Sequence, residues 1–547
     1  MLYKKSIRLI LSVLCIYSLT IQTIHAMEDD IDIFNDPRVT DFVANTEFDV
    51  QRSFDPATVI AILKDLGAIE ILKEDIYLKT HPLVIRSLLD LPQLRPHYYH
   101  IFDWGVGAHL FLNQTSAVNF GENSTGIKCY LALQDETLLE KIQCTIDTAL
   151  GLLPNCDTDQ ELDITEMLSL FRNGTIQQRR AGFMINGWKT STPRRFDIMF
   201  NVPFYYTENN YFLTDKERAE IERVFGKSNQ AQEDSVVKHL VSDKIGFGDF
   251  RLYIGREIHH CQNSSLISGV QFTLPTGFAL GSGLIGSKFN PCRCLPTIDV
   301  ESIFGAIEDI GDESPKALAQ REKLLERAAD LLLGAAYQLN ANILETKMGN
   351  SGHFGIGGYI DTETYLSKFI DGQWARYWSF RGHISLEYLA PATETRFFIE
   401  QRDDRQFDER DFMDKDQAQD NLNFLERKMI TRLYPFAYDV KVSPGLTFNY
   451  FSKWSYEGNR WGFTVGSDTW IIQQEKQSCP TLTCSESVNL CKAIKPSSYQ
   501  WRALASLFYK SYRKEEDWIF SLNIDKVVWS KNIGKDFTVS LGFHANF

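Results

Sequence analysis

After residue 26 the chain never runs for about 18 residues without a polar or charged side chain, the least a membrane-spanning helix needs. A bundle of transmembrane helices is thereby excluded. A basic surplus is also missing: 57 Lys and Arg stand against 71 Asp and Glu, a formal charge of −14. That balance excludes nucleic acid as a partner and suits an acidic, solvated exterior. Histidine is scarce, and none stands at ligand spacing from a cysteine cluster, so no metal site is expected. His259-His260 beside Cys261 reads as a pair of neighbours in a turn. Catalytic signatures are wanting too. Gly281-Ser282-Gly283 has no helical pattern after it and so is not a nucleophile elbow. The glycines at 246, 248, 355, 357 and 358 read as strand glycines at bends or close contacts, not as a nucleotide loop. Neither a cofactor nor an enzymatic activity is expected.

What the chain does have begins with a leader. Lys4, Lys5 and Arg8 precede an apolar run over 9–24, and Ala26 is followed by the acidic Glu28, Asp29 and Asp30. A basic start, a short apolar core and a small residue before a polar beginning read as a signal peptide over residues 1–26. The three leader cations leave the rest of the chain near −17, starting from the formal −14. An exported chain meets oxidising conditions. Beyond Cys15 of the leader, the cysteines fall at 129, 144 and 156, at 261, at 292 and 294, and at 479, 484 and 491. Loop disulfides are the expected reading, with one thiol of this odd set left free or intermolecular.

Residues 27–96 are acidic and carry helical signals. Asp55-Pro56 caps a pattern over 57–66 that Gly67 closes, with Ile60, Leu63 and Leu66 on one face, and His81-Pro82 opens a second short helix over 83–91. This region is either a small periplasmic subdomain or a plug folded into a barrel mouth. From residue 101 the apolar period becomes two. Fourteen strand candidates follow: 101–112, 180–188, 194–205, 246–258, 268–284, 331–344, 353–367, 376–389, 395–401, 433–451, 460–472, 499–511, 517–527 and the terminal stretch. Counted back from the last strand, every long connection falls on one side, and the opposite set (190–193, 259–267, 346–352, 390–394, 452–459 and 513–516) is short throughout. Helical patterns occur within two long connections, over 316–332 and 401–428, and read as solvated external helices.

The terminal stretch, 535–547, alternates most strictly. Phe537, Val539, Leu541, Phe543, Ala545 and Phe547 are apolar, whereas Asp536, Thr538, Ser540, His544 and Asn546 are polar. Two-residue alternation that ends on an aromatic resembles the last strand of Gram-negative outer-membrane β-barrels. Short turns at one end, long loops at the other and an aromatic content of 13% agree with that likeness. The resemblance implies a transmembrane antiparallel β-barrel of about fourteen strands (12–16) over 97–547, located in the outer membrane. Phe537, Val539, Leu541, Phe543 and Phe547 would then face outer-membrane lipid and present the strand to the barrel-assembly machinery. Long-chain fatty-acid-type transporters share this strand number and an N-terminal plug; their Gly- and Ala-rich start is not found here.

In such a barrel the polar faces point inward. Arg195, Asp197, Asp249, Arg251, Glu257, Asp361, Glu363, Arg381, His383 and Glu387, with Asp517 and Asp525, are therefore expected to line the lumen. With both signs present, they serve either as a solute-selective ring or as a cross-strand ionic network. The function expected is a channel or transporter that passes small solutes through a polar lumen. The alternative is a barrel-anchored surface adhesin or receptor that acts through its cysteine-bearing loops.

Overall fold

The computed structural model describes residues 86–91, 104–117, 175–191, 196–212, 241–261, 263–282, 341, 343–398, 436–478, 493–513 and 516–547. In chain order the strands are β1 (Trp104–Ala117), β2 (Thr175–Ser191), β3 (Phe196–Phe212), β4 (Val241–Phe247), β5 (Phe250–Cys261), β6 (Ser264–Leu274), β7 (Phe278–Ser282), β8 (Gly355–Tyr365), β9 (Trp378–Leu389), β10 (Ala392–Phe398), β11 (Phe436–Ser443), β12 (Thr447–Glu457), β13 (Trp461–Ile472), β14 (Lys476–Ser478), β15 (Ser498–Arg513), β16 (Glu516–Lys531) and β17 (Lys535–Asn546). Twelve of them form a closed antiparallel barrel: β1, β2, β3, β5, β6, β8, β9, β12, β13, β15, β16 and β17. Each pairs with the next, and β17 returns to β1 from Gly105↔Asn546 to Ala117↔Lys535.

Twelve replaces the fourteen expected, for local reasons. The candidate at 331–344 is helical where it is described, at Ala341, Ile343 and Leu344. The candidate at 395–401 overlaps β10, which pairs with β11 and β14 in a separate three-stranded sheet. The long candidate at 433–451 breaks at Pro444-Gly445 into β11 and β12, which belong to different sheets. Those at 246–258 and 268–284 break at Gly248-Asp249 and at 275–277. Beyond these bends β4 continues along β3, and β7 along β4, past the barrel wall. The helical patterns at 57–66, 316–332 and 401–428 lie outside the described residues. So does the leader. Of the predicted helix over 83–91, the described part holds only a 3-10 turn, Leu88–Asp90, capped by the Ser87 hydroxyl.

With twelve strands the two ends differ more sharply than expected. At the end carrying Phe547, here the near end, the connections are 192–195, 262–263, 366–377, 458–460 and 514–515. At the far end they are 118–174, 213–249, 275–354, 390–446 and 473–497; only 532–534 is short. That last turn is tight because Asn532 takes a left-handed φ of 55°, which Asn tolerates better than most residues. Two stretches expected at the near end, 346–352 and 390–394, lie at the far end, and 368–375 lies at the near end, because the two lost strands bracket β8 and β9.

The burial pattern is inverted relative to a protein in water. Along β17 the residues Asp536, Thr538, Ser540, His544 and Asn546 are buried, while Leu541 is 56% exposed. Around the wall Leu112, Ile185, Ile198, Val270, Ile360, Ile384, Val465, Leu507 and Ile524 also stand exposed on the outer face. Aromatic rings gather at both rims. Near the C-terminus Trp104 stacks on Phe547 at 4.3 Å, Trp518 meets Phe543, Trp461 meets Tyr509, and Trp378 meets Tyr456. Toward the far end Tyr499 meets Trp529 at 4.8 Å, and Phe204, Phe247 and Phe278 form a row. An apolar band between two aromatic girdles is the surface a bilayer covers. Leu541→Arg, at the middle of β17, is accordingly expected to lower stability by about 2–4 kcal/mol in lipid, where the midplane penalises a cation. Urea unfolding of the barrel in vesicles measures it; a surface residue bathed in water would change the midpoint little.

Candidate functional site

The inward faces carry the chemistry. Each strand sends alternate side chains inside, so a ring of strands of both directions stacks the polar residues in layers. Of the residues expected there, Arg251, Asp361, His383 and Glu387 are buried on inward faces of β5, β8 and β9, and Asp197 is buried on β3. Glu363 and Arg381 are half-buried on the same faces. Asp249 is buried at the bend between β4 and β5, where it accepts from the Gly277 N–H at 3.1 Å and the Asn350 N–H at 2.5 Å. Glu257 sits near the end of β5, bonded to the exposed His260 at 2.7 Å. Arg195 lies outside the described residues. Phe537, Val539, Leu541 and Phe543 lie on the outer face of β17, and Phe547 follows it against Trp104.

The most connected part of the interior is built around a chain segment that no strand pattern marked. Residues 86–91 lie within the barrel, and opposite walls grip them. From β13, Asp468 pairs with Arg86 at 2.5 Å and the Trp470 indole N–H donates to Asp90 at 3.3 Å. From β2, Arg180 Nη1 donates to the Arg86 carbonyl at 2.9 Å. From β5, Arg251 Nη1 donates to Asp90 at 2.7 Å and to the Leu89 carbonyl at 3.1 Å. In the ring order β13 stands across from β3, which β2 and β5 flank, so the segment spans the interior. Leu88, Leu89 and Leu91 pack with Phe111, Met184, Tyr205 and Met348. Arg251 is itself held by Thr273 Oγ1 at 2.9 Å and Glu387 at 2.8 Å, and Thr273 also donates to Glu387.

A second buried network seals the join between the chain's last strands. Arg502 on β15 pairs with Asp525 on β16 and with Asp536 on β17 at 2.8 Å. Asn113 of β1 donates to Asp536 at 2.7 Å and to Thr538 at 3.0 Å, and Gln500 donates to Asp536 at 2.8 Å. Toward the near end Asp361 meets Arg381 at 3.4 Å and His383 at 3.3 Å, and Lys510 meets Glu457 at 2.6 Å. Between these layers run rings and aliphatic groups: Trp188, Met199, Tyr253, Ile267 and Tyr359, with His383 stacked on Phe451 at 5.3 Å.

Toward the far mouth the interior opens into a cavity of about 250 Å³, lined among the described residues by Arg86, Asp90, Arg180, Tyr205, Asp249, Arg251, Lys347, Glu387, Glu394, Trp470 and others. On its rim Glu394 of β10 holds Lys347 at 2.7 Å, His353 at 2.8 Å and Arg396 at 3.2 Å. Burial alone would push the Glu394 carboxyl up, but the Lys347 and Lys495 ammonium groups and the His353 hydrogen bond hold it well below the usual carboxylate range. Among the described residues no group of three or more His, Cys, Asp or Glu could hold a metal ion. Cys261 is the one cysteine among the described residues; its thiol is free and lies at the near end of β5. Loop disulfides concern residues outside the described set.

Arg86, Asp90, Arg180, Asp468, Trp470, Arg502 and Asp536 were not among the lumen residues read from sequence. For Arg180, Asp468, Arg502 and Asp536 a signal existed, since each alternates with an outward apolar or small residue on its strand. Arg86 and Asp90 follow no period. Removing the Arg251 guanidinium leaves Asp90 and Glu387 buried without their cation, so Arg251→Met is expected to cost about 3–5 kcal/mol. Urea titration followed by tryptophan fluorescence reads this, and Arg251→Met with Glu387→Gln should recover part of it.

No protein-family model matches the sequence, and no curated protein does. Among solved structures, the chain is similar to an outer-membrane channel from Pseudomonas putida F1, at 8% identity over 84% of this chain and 99% of that one, with a TM-score of 0.38. It is also similar to the toluene transporter TbuX of Ralstonia pickettii, at 9% identity over 82% and 90% with a TM-score of 0.27. A third likeness is to the transport unit of the autotransporter AIDA-I from Escherichia coli, at 5% identity over 91% and 99% with a TM-score of 0.28. At these identities and scores none of the three bears on what this chain does.

Proposed function

We propose that the chain is an outer-membrane channel that passes small solutes through a polar barrel interior, with the region around residues 86–91 as its plug. The observation that carries this reading is the seating of that segment. A barrel used only as an anchor has no need of a second stretch of chain gripped across its interior by Asp468, Trp470, Arg180 and Arg251. The outer apolar band supports placement in lipid. The near end, with its short turns, is then periplasmic, and the outward residues of β17 are offered to the barrel-assembly machinery. The inward Asp197, Arg251, Asp361, Glu363, Arg381, His383 and Glu387 line the path, with Asp249 at its far mouth.

One feature favours a barrel-anchored adhesin or receptor instead: the long connections and all the cysteines beyond the leader except Cys261 belong to the far end. Purified protein in planar bilayers separates the two readings. Stepwise single-channel currents are expected, and Arg86→Ala, which frees Asp468, should raise the time spent open. Silent membranes from protein that migrates as a heat-modifiable folded barrel would overturn the channel reading in favour of the surface-binding one.

A further inference from the structure

Among the charged groups of the far cavity, Arg180 is the odd one. It is 8% exposed on the inward face of β2. Among the described residues its side chain donates from Nη1 to the Arg86 carbonyl at 2.9 Å and from Nη2 to Gln178 Oε1 at 3.5 Å, a marginal distance. No carboxylate lies within ion-pair distance of it among the described residues. Its partners in register, Asn113 on β1 and Thr207 on β3, are neutral. Asp536, the carboxylate whose field reaches it, is already taken by Arg502, Gln500 and Asn113. The other buried arginines among the described residues are compensated: Arg86 by Asp468, Arg251 by Asp90 and Glu387, Arg396 by Glu394 and Glu475, Arg502 by Asp525 and Asp536. A guanidinium buried without a counter-ion is costly and marks a place where one arrives from outside.

Beside it stands a second unfilled donor. The Tyr205 hydroxyl accepts from the Gly349 N–H at 3.3 Å, and its own proton has no acceptor among the described residues. Arg180 and Tyr205 line the same cavity. The wall next to them is apolar, because Tyr205 packs with Leu88, Leu89, Met184 and Phe111.

We infer that the far cavity binds a small organic carboxylate, its two oxygens taken by Arg180 Nη2 and the Tyr205 hydroxyl and its apolar body laid against Leu88 and Leu89. This deepens the channel reading and rests on it for the ligand's role as a transported solute; the site itself stands on the geometry. A negative charge matches the buried guanidinium that has no carboxylate beside it, and a two-oxygen anion is needed to reach both Arg180 Nη2 and the Tyr205 hydroxyl. The neutral or cationic analogue of the same body would leave Arg180 buried and unpaired, so the site discriminates by sign more than by shape.

The test uses the full-length protein in detergent and in planar bilayers, with benzoate, benzyl alcohol and benzylamine as probes. Calorimetric titration is expected to show benzoate binding that weakens at least tenfold in Arg180→Gln and several-fold in Tyr205→Phe. Arg180→Lys should keep part of it, and Arg376→Gln, at the opposite end, should keep it all. Unboiled gel migration certifies that each variant is folded. Equal binding of benzyl alcohol, or unchanged benzoate binding in a folded Arg180→Gln, overturns the inference, as does an absence of benzoate binding to the wild type. Channel currents that benzoate does not alter, with no binding, sink the site and leave the channel. Benzoate binding without any current keeps the site and sinks the channel.

Discussion

A strand in hydrocarbon has no water to satisfy its N–H and C=O groups, so each must find a neighbouring strand and the sheet must close. Closure here falls on β17, which pairs with β16 on one side and β1 on the other, from Asp517↔Asn546 and Gly105↔Asn546 upward. β17 therefore satisfies two open edges at once. Tight passage along that seam explains two of its glycines. A Cβ on Gly107 would strike the His544 ring, and one on Gly542 would meet Ser521 and His109. The Trp104–Phe547 stack and the reciprocal backbone bonds between those residues fasten the near end of the seam.

Closure with lipid outside leaves the interior as the place for polar groups, and there charge has to be compensated within the wall. Register does this. Arg502 lies opposite Val527 on β16 and reaches Asp525, the next inward position along that strand, and Asp536 on β17, across a bulge at β15–β16. The pairing Trp501↔Trp529 is followed by Arg502↔Val527, which leaves Val528 unpaired, so Val528 and Trp529 both face outward. Above that bulge the strand's inside and outside residues exchange parity; below it Asp525, Asn523 and Ser521 all point inward. A slip by one residue would place the Arg502 guanidinium in lipid, so the ionic network and the apolar band enforce the same register.

The two-solvent alternation was legible in the sequence because it is a local property: β1, β2, β3, β8, β9, β13, β15, β16 and β17 each coincide with a stretch of period two. The strand number was not, because period two identifies a strand without saying which sheet it joins. The stretch over β11 and β12 reads as one continuous strand, and the candidate at 395–401 overlaps β10; only pairing assigns β10 and β11 to a sheet of their own. Breaks at Gly248-Asp249 and Pro444-Gly445 are visible as turn residues, yet whether the chain bends and continues or leaves the wall depends on partners far along the sequence. Inward charges such as Arg251, His383 and Glu387 follow from parity alone. Which of them meet does not, since Arg251 and Glu387 lie on strands that are not adjacent in the ring. The role of Arg86 and Asp90 did not follow from the helical pattern over 83–91, for a segment held by side chains of the wall needs little more than the one 3-10 turn at Leu88–Asp90.

How firmly that segment is held follows from comparing two magnitudes. Ordering six residues of backbone costs about 6–12 kcal/mol at ordinary temperatures. Burying Leu88, Leu89 and Leu91 returns about 5–9 kcal/mol, an upper figure because the free chain already hides part of that surface. The two nearly cancel. The sign of the balance then rests on the polar clamps, the Arg86–Asp468 and Arg251–Asp90 pairs and the bonds to the Leu89 and Arg86 carbonyls. Ion pairs lose strength as water enters, while leucine contacts do not. A segment seated by apolar contact alone would leave only by exposing its leucines, whereas one balanced by ion pairs responds to whatever wets or charges the cavity beside it. The leucines place the segment, and the carboxylates of Asp90 and Asp468 decide whether it stays.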